Sequence, residues 1–259
     1  MERFRLDIEY EGTRYSGWQM QKGGKSIQGE ILDACNDLFE NKITDIFGAG
    51  RTDAGVHATG QVAHLDAETD LPPLKIKYGL NDRLPKDICI LEVEKSDNSF
   101  HARHSAVARS YIYQISRRRT AFGKKFVWWI KDQLSVENMN IAAHEFVGLK
   151  DYRNFTDIDQ EQGSTKTEII HAEVNEFGGI ILFHVVGSHF LWKQVRRMTG
   201  VLVEVGRGNL VPRDIASLFK GKTDSVAKLT APPSGLFLKN VWYDRKEIFL
   251  AATPVINIQ

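Results

Sequence analysis

The sequence predicts an α+β fold built from two related halves. Three observations carry this. Several short segments alternate apolar and polar residues at period two, and apolar stripes at helical spacing lie between them. The order of these segments over residues 1–100 then recurs, with additions, over residues 101–259.

Phe4-Arg-Leu-Asp-Ile-Glu-Tyr10 alternates as a half-buried strand, closed by Glu11-Gly12. Ser26 reads as a helix N-cap, and Ile27, Ile31, Leu32, Ala34, Cys35, Leu38 and Phe39 form the apolar stripe of the helix that follows. Asp45-Ile-Phe47 leads into a glycine-bearing turn, and Gln61-Val-Ala-His-Leu65 returns as a strand. A helix is predicted from Leu74 to Leu84, stopped at Pro85, and a strand over Ile88-Cys-Ile-Leu-Glu-Val93. Strand, helix, two strands, helix, strand is the ferredoxin-like (RRM-like) order.

In the second half, Ala108 to Ser116 predicts a strand with Tyr111, Tyr113 and Ile115 on one face, and Val136 to Val147 a helix. The polar stretch from Asp151 to Thr167 predicts an excursion from the compact body. Ile169 to Val174 and Ile180 to Val186 predict a hairpin turned at Gly178-Gly179. The strongest helical pattern runs from Phe190 to Val205, followed by a short helix from Arg213 to Phe219 and a strand from Leu236 to Tyr243. No low-complexity linker marks the border near Phe100, which favours one sheet shared by both halves.

At 259 residues, 42% of them hydrophobic, the chain can form one large domain or two ordinary ones. No window approaches the apolar run of about 18 residues that spans a membrane. The start, Met1-Glu-Arg-Phe-Arg-Leu-Asp7, lacks the apolar core of a signal peptide, so a cytoplasmic location is expected. Cys35 and Cys89 stand far apart without a partner pattern, so neither a disulfide framework nor a zinc site is indicated. The eight histidines are scattered, without an i, i+4 pair among acidic partners, and no metal is expected.

The net charge of +1 says little, but its distribution says more. From Ser99 to Lys131 there is no Asp or Glu, whereas Arg103, Arg109, Arg117, Arg118, Arg119, Lys124, Lys125 and Lys131 all occur. Lys193, Arg196 and Arg197 form a second cluster beside Phe190 and Trp192. Charge runs are commonly solvated faces; so long an acid-free span also suits an anionic polymer such as a phosphate backbone.

The chemistry is concentrated in Gly48-Ala-Gly-Arg-Thr-Asp-Ala-Gly-Val-His57, where the carboxylate of Asp53 stands two residues from Arg51 in a glycine-rich turn. An Asp in such a turn is ordinarily a turn former; the sharper alternative is a catalytic carboxylate. The third glycine comes too late for a dinucleotide fingerprint, and neither a Walker loop nor a nucleophile elbow is present.

Gly50-Arg-Thr-Asp-Ala-Gly-Val-His57, continuing into Thr59-Gly-Gln-Val62, resembles the signature of the tRNA pseudouridine synthase A (TruA) family. Further blocks match in order: Tyr15-Ser-Gly-Trp-Gln19 with Ser26-Ile-Gln28, Asn81 with Leu84-Pro85 and Asp87-Ile88, Phe100-His-Ala-Arg103 with Ala108-Arg109-Ser-Tyr111-Ile-Tyr113, Phe190-Leu-Trp-Lys-Gln-Val-Arg196, and Ala231-Pro-Pro-Ser-Gly-Leu236. The resemblance implies two ferredoxin-like halves forming one continuous antiparallel sheet, with helices on one side and a catalytic cleft on the other. It implies isomerisation of uridine to pseudouridine in the tRNA anticodon arm at positions 38 to 40, without cofactor or metal, by a homodimer. By the same resemblance Asp53 is the catalytic carboxylate, Arg196 its cation, Arg51 the residue that assists base flipping, and Tyr111 and Leu236 the two walls of the uracil site. Phe100, His101, Arg103 and Arg109 would grip the RNA. Two alternatives stay open on the residues themselves: a non-catalytic RNA-binding protein using Tyr111, Tyr113 and Phe126 on a sheet face, and a small-molecule acid–base enzyme.

Overall fold

A computed structural model describes residues 1–157, 163–221 and 223–258. The chain divides into two compact units, Met1–Val107 with Phe237–Glu247, and Ala108–Leu236 with Ile248–Gln259. Both are mixed α+β, with mostly antiparallel strand pairing.

The first unit runs β1 (Glu2–Tyr10), α1 (Ile27–Leu38), β2 (Ile43–Gly48), β3 (His57–Ala67), α2 (Pro73–Asn81) and β4 (Ile88–Ser96). The second runs β5 (Ala108–Ser116), β6 (Trp128–Trp129), α3 (Val136–His144), β7 (Gly148–Asp151), β8 (Lys166–Phe177), β9 (Ile180–Gly187) and α4 (Gln194–Gly206). A last strand, β10 (Leu236–Trp242), carries the chain back into the first unit.

In the first unit β1 lies between β4 and β3, antiparallel to both, with Leu6 opposite Val93 on one side and Ala63 on the other. Its alternation buries Phe4, Leu6, Ile8 and Tyr10 as the period-two pattern requires. β2 pairs antiparallel with the far part of β3, and β10 runs parallel to its start, Phe237 opposite His57. Ser26 caps α1 by accepting the Gly29 N–H at 3.2 Å. Ile27, Ile31, Ala34 and Cys35 face the core, whereas Leu32 and Leu38 are half-buried. β3 is longer than the alternating core of its sequence, starting at His57 directly after the Asp53 turn.

The second unit places β5 beside β9, followed by β8 and β7, all antiparallel. Every residue of β5 and β9 is buried, so Tyr111 and Tyr113 are buried along with their neighbours on the other face. The expected hairpin forms, with the strands extended to Lys166–Phe177 and Ile180–Gly187. Two expectations need correction. The α4 helix starts at Gln194 rather than Phe190, because Lys193 takes a left-handed conformation (φ 63°) and the Gln194 side chain accepts the Leu191 N–H at 2.9 Å, closing the turn ahead of the helix. The stretch after Asp151 is not all excursion. Tyr152 and Phe155 are fully buried in an aromatic cluster with Phe146 and Phe219, and the Tyr152 hydroxyl donates to the Phe146 carbonyl at 2.7 Å. Those two rings carry too little sequence signal to stand out among polar neighbours. Residues 158–162 of that stretch lie outside the described residues.

One buried amide helps to fasten the C-terminal segment. Gln114, wholly inaccessible, donates to the Phe126 carbonyl at 2.7 Å and accepts the Val255 N–H at 2.6 Å. α4 packs so closely on the 227–231 segment that a Cβ at Gly200 would overlap the Leu229 carbonyl oxygen. Gly200→Ala therefore forces helix and segment apart. A loss of about 1–3 kcal/mol is expected, the usual range for overpacking, and urea unfolding measures it; an unchanged midpoint would show that the segment yields freely.

Candidate active site

The turn between β2 and β3 is held by its surroundings at nearly every residue. Gln61 of β3 is fully buried, and its side-chain amide grips Gly50 twice, accepting its N–H at 3.2 Å and donating to its carbonyl at 2.8 Å. The Thr52 hydroxyl meets the Tyr10 hydroxyl at 2.8 Å. Asp53, Ala54, Gly55 and Val56 form a tight turn closed by the Val56 N–H on the Asp53 carbonyl at 3.1 Å, with Gly55 at φ 77°. The turn demands that positive φ, which glycine supplies without strain.

A second loop, residues 12–20, packs against the first. The Trp18 N–H donates to the Thr52 carbonyl at 3.1 Å, and the Gly55 N–H to the Tyr15 carbonyl at 3.3 Å. Gly17 sits at φ 103° with its α-carbon against the Thr52–Asp53 backbone, where a side chain would collide. A Cβ at Gly12 would likewise overlap the Val56 carbonyl. The Gly12 N–H donates to His57 Nδ1 at 3.0 Å, which gives the last residue of the motif a structural task. Gln28 anchors the loop from α1, accepting from Met20 and Gln19 and donating to the Ile46 carbonyl at 2.8 Å. The Tyr15 hydroxyl donates to Asp87 at 2.5 Å, and burial, then this carboxylate, raise the phenol above its ordinary range.

The small residues at 12, 17 and 48 thus admit the protein's own backbone and the ring of Trp18, which lies directly over Gly48. Of the motif glycines at 48, 50 and 55, only Gly55 takes a positive φ. Asp53 itself is half-buried and Arg51 exposed. A carboxylate on a fixed turn, beside an exposed guanidinium, is a group that can meet a substrate without first being ordered.

Phe100, His101 and Arg103 also belong to the first unit. The Phe100 ring lies 4.8 Å from that of Tyr243, and its carbonyl accepts from Arg3 at 2.8 Å. His101 is centred 4.6 Å from His64 and 4.3 Å from His104. Burial first, then the neighbouring His101 and Arg3, push His64 down to about 4; burial and His104 lower His101. Arg103 is exposed beside them.

The remaining expected site residues lie in the second unit. Tyr111 is 8% exposed and packs edge-on against Phe190 at 5.0 Å. Arg196 is bound to the 231–236 block: its Nε donates to the Ala231 carbonyl at 2.7 Å, and the Ala231 N–H donates back to the Arg196 carbonyl at 3.1 Å. The Tyr113 hydroxyl donates to Pro232 at 2.7 Å, and Leu236 is buried at the end of the block. Arg109 is buried and donates to the Ser188 carbonyl at 2.9 Å.

The second basic cluster is not a free positive patch. Lys193 and Arg197 both pair with Asp157, and Arg197 is almost wholly buried. Asp157 is 36 residues from Lys193 in sequence, so the charge pattern gave no warning of it. In the acid-free run, Arg117 pairs with Glu176 at 2.6 Å, while Arg118, Arg119, Lys124, Lys125 and Lys131 remain exposed.

A family model described as tRNA pseudouridine synthase matches residues 8–105 and 142–244. Proteins named tRNA pseudouridine synthase A from an Exiguobacterium species and from Anaplasma marginale are 39% and 40% identical over 245 and 247 residues. These alignments cover 95% and 93% of this chain, and 99% and 100% of the relatives. The chain belongs to the tRNA pseudouridine synthase family. A Bacillus anthracis relative named tRNA pseudouridine synthase A 2 matches at 36% identity over 93% of this chain and 99% of its own.

Sequence reasoning missed the side chains that build the loop, above all Gln61, although it lies within the matched Thr59-Gly-Gln-Val62. Gln61→Ala strands two backbone groups of Gly50, each worth about 1–3 kcal/mol when buried without a partner. Faster amide exchange across residues 49–56 and a lower unfolding midpoint are expected; protection left at the wild-type level would show that Gln61 does not hold the loop.

Proposed function

We propose that this chain isomerises uridine to pseudouridine in tRNA, with Asp53 as the catalytic carboxylate. One observation carries the assignment: in a member of this family, Asp53 stands on a turn fixed by Gln61, Thr52, Gly17 and Gly55. The reaction breaks the bond from N1 of uracil to C1′ and forms one from C5 to C1′, while the base exchanges a hydrogen at C5 for one at N1. The change is redox-neutral. It requires a positioned group that serves as nucleophile or as acid–base catalyst, and a carboxylate can do either. It also requires that the detached base be kept from drifting away, which favours a rigid site.

The other roles follow the family resemblance. Arg196 supplies the cation that favours an ionised Asp53 in a desolvated site. A stem uridine must leave its stack at a cost of a few kcal/mol, and Arg51, exposed at the turn, assists that flip. Tyr111 and Leu236 bracket the uracil, with stacking worth roughly 1–3 kcal/mol. Phe100, His101, Arg103 and Arg109 bind the RNA, together with the exposed cations at 118, 119, 124 and 125. Arg109 is the least suited of these by exposure, since its guanidinium already serves Ser188. The strand–helix–strand–strand–helix–strand order of the first unit supports the ferredoxin-like description, and by resemblance a second such half shares its sheet. The same resemblance assigns the anticodon arm at positions 38 to 40 as target, a homodimer as the working form and the cytoplasm as location.

Asp53→Asn is expected to keep tRNA affinity and abolish pseudouridine formation, followed as tritium release from C5-labelled tRNA. Turnover near the wild-type rate would show that Asp53 is not the catalytic carboxylate, whereas tRNA binding without tritium release by the wild-type protein would favour a non-catalytic RNA-binding protein. A small-molecule enzyme would show no salt-sensitive tRNA binding in gel shifts. Arg196→Met is expected to lower turnover far more than binding, because the carboxylate loses its cation; equal losses would reduce Arg196 to a phosphate contact.

A further inference from the structure

We propose that His171, Glu173 and His184 form a binding site for a divalent transition-metal cation of the zinc type, on the hairpin of β8 and β9. Their donor atoms, one from each residue, all lie within 4.8 Å of one another. Glu173 Oε1 stands 3.3 Å from His171 Nε2 and 3.7 Å from His184 Nδ1. Ligands held tetrahedrally at zinc distances of about 2.0–2.2 Å are separated by roughly 3.3–3.6 Å; the 3.3 Å spacing falls in that range and the 3.7 Å spacing just above it, so a small closure of the side chains completes a coordination shell.

The strand geometry explains how the three meet. Glu173 and His184 are direct cross-strand partners, and His171 pairs with Val186, two residues from His184. Ile169 pairs with Gly187, so Ile169 and His171 point to opposite faces although they are two residues apart. The register shift between them accounts for this. Regular alternation from Ile169 would have sent His171 and Glu173 together to the Ile169 face of the sheet, and a bulge is the usual means of re-aiming side chains.

The nitrogens are also in the right condition. His171 Nε2 and His184 Nδ1 are buried without a hydrogen-bond partner, although each approaches the Glu173 carboxylate. His184 is 2% exposed, and leaving a ring nitrogen unmatched there is costly unless something else fills the role. Its other nitrogen, Nε2, lies 3.2 Å from the Ser110 hydroxyl, the kind of outer partner that fixes a ligating imidazole. Two imidazoles and one carboxylate suit zinc, cobalt or copper better than magnesium or calcium, and leave a fourth position for water. The Leu250 backbone also bonds to His184, so the cation would brace the hairpin where the C-terminal segment crosses it.

The experiment uses the purified full chain, stripped with a chelator and titrated with Co²⁺. A tetrahedral visible absorption band should grow to one equivalent and be displaced by Zn²⁺, and Zn²⁺ should raise the melting temperature. His184→Ala, His171→Asn and Glu173→Gln should each weaken binding roughly tenfold or more, given that even outer-shell losses cost 10–100-fold. Circular dichroism of Glu173→Gln checks that the fold survives, and His144→Ala, on α3, should bind as wild type. Absence of the band at tenfold excess of Co²⁺ would overturn the assignment in favour of a metal-free His–Glu cluster. Equal affinity in all three ligand variants would overturn it too, placing the cation elsewhere.

Discussion

The structure of the first unit depends on a backbone-to-backbone contact that leaves no room for side chains. The turn bearing Asp53 and the loop over residues 12–20 touch through Gly12, Gly17 and Gly55, with Thr52 and Tyr15 carbonyls accepting N–H groups across the gap. Individually such hydrogen bonds add about 1 kcal/mol net. Their force lies in geometry: a turn held at Gly50, Thr52, Gly55, Val56 and His57 has few ways left to move. The motif therefore divides its labour. Glycines, Thr52 and His57 build the platform, and Asp53 and Arg51 are what it presents.

A second constraint is the disposal of positive charge. In sequence the acid-free run and the cluster at 193–197 look alike. Folding separates them. The cluster is brought against Asp157, and Arg196 is turned to a carbonyl, so these cations are committed to structure or to specific geometry. The run from 117 to 131 keeps five exposed cations besides the one paired with Glu176. The two basic stretches thus differ in exposure, the run keeping most of its cations at the surface.

Much of the fold was legible because period-two and helical patterns report burial on one face, as β1 and α1 do. They fail where burial has no period. The aromatic cluster of Tyr152 and Phe155 is made by two rings in a polar stretch, and α4 begins late because of one left-handed lysine. In the candidate site, Asp53 was legible as a charged residue among glycines. Gln61 was not, because a buried amide that serves a backbone has the same appearance as any surface glutamine. The carbonyl it satisfies is invisible until the chain is folded.

The histidines show the same limit from the other direction. A search for metal ligands at i, i+4 spacing presumes a helix, and none of the eight histidines passes it. On a strand the relevant spacing is i, i+2 with a partner across the hairpin, which is how His171, Glu173 and His184 are related. Even that rule would have misjudged this hairpin. With Ile169 buried toward the core face, alternation alone sends His171 to the same side as Ile169. One register shift reverses the assignment for every residue beyond it. The face of β8 on which these three residues meet is thus set by a single irregularity in pairing, a property of two strands together that neither strand's residues specify alone.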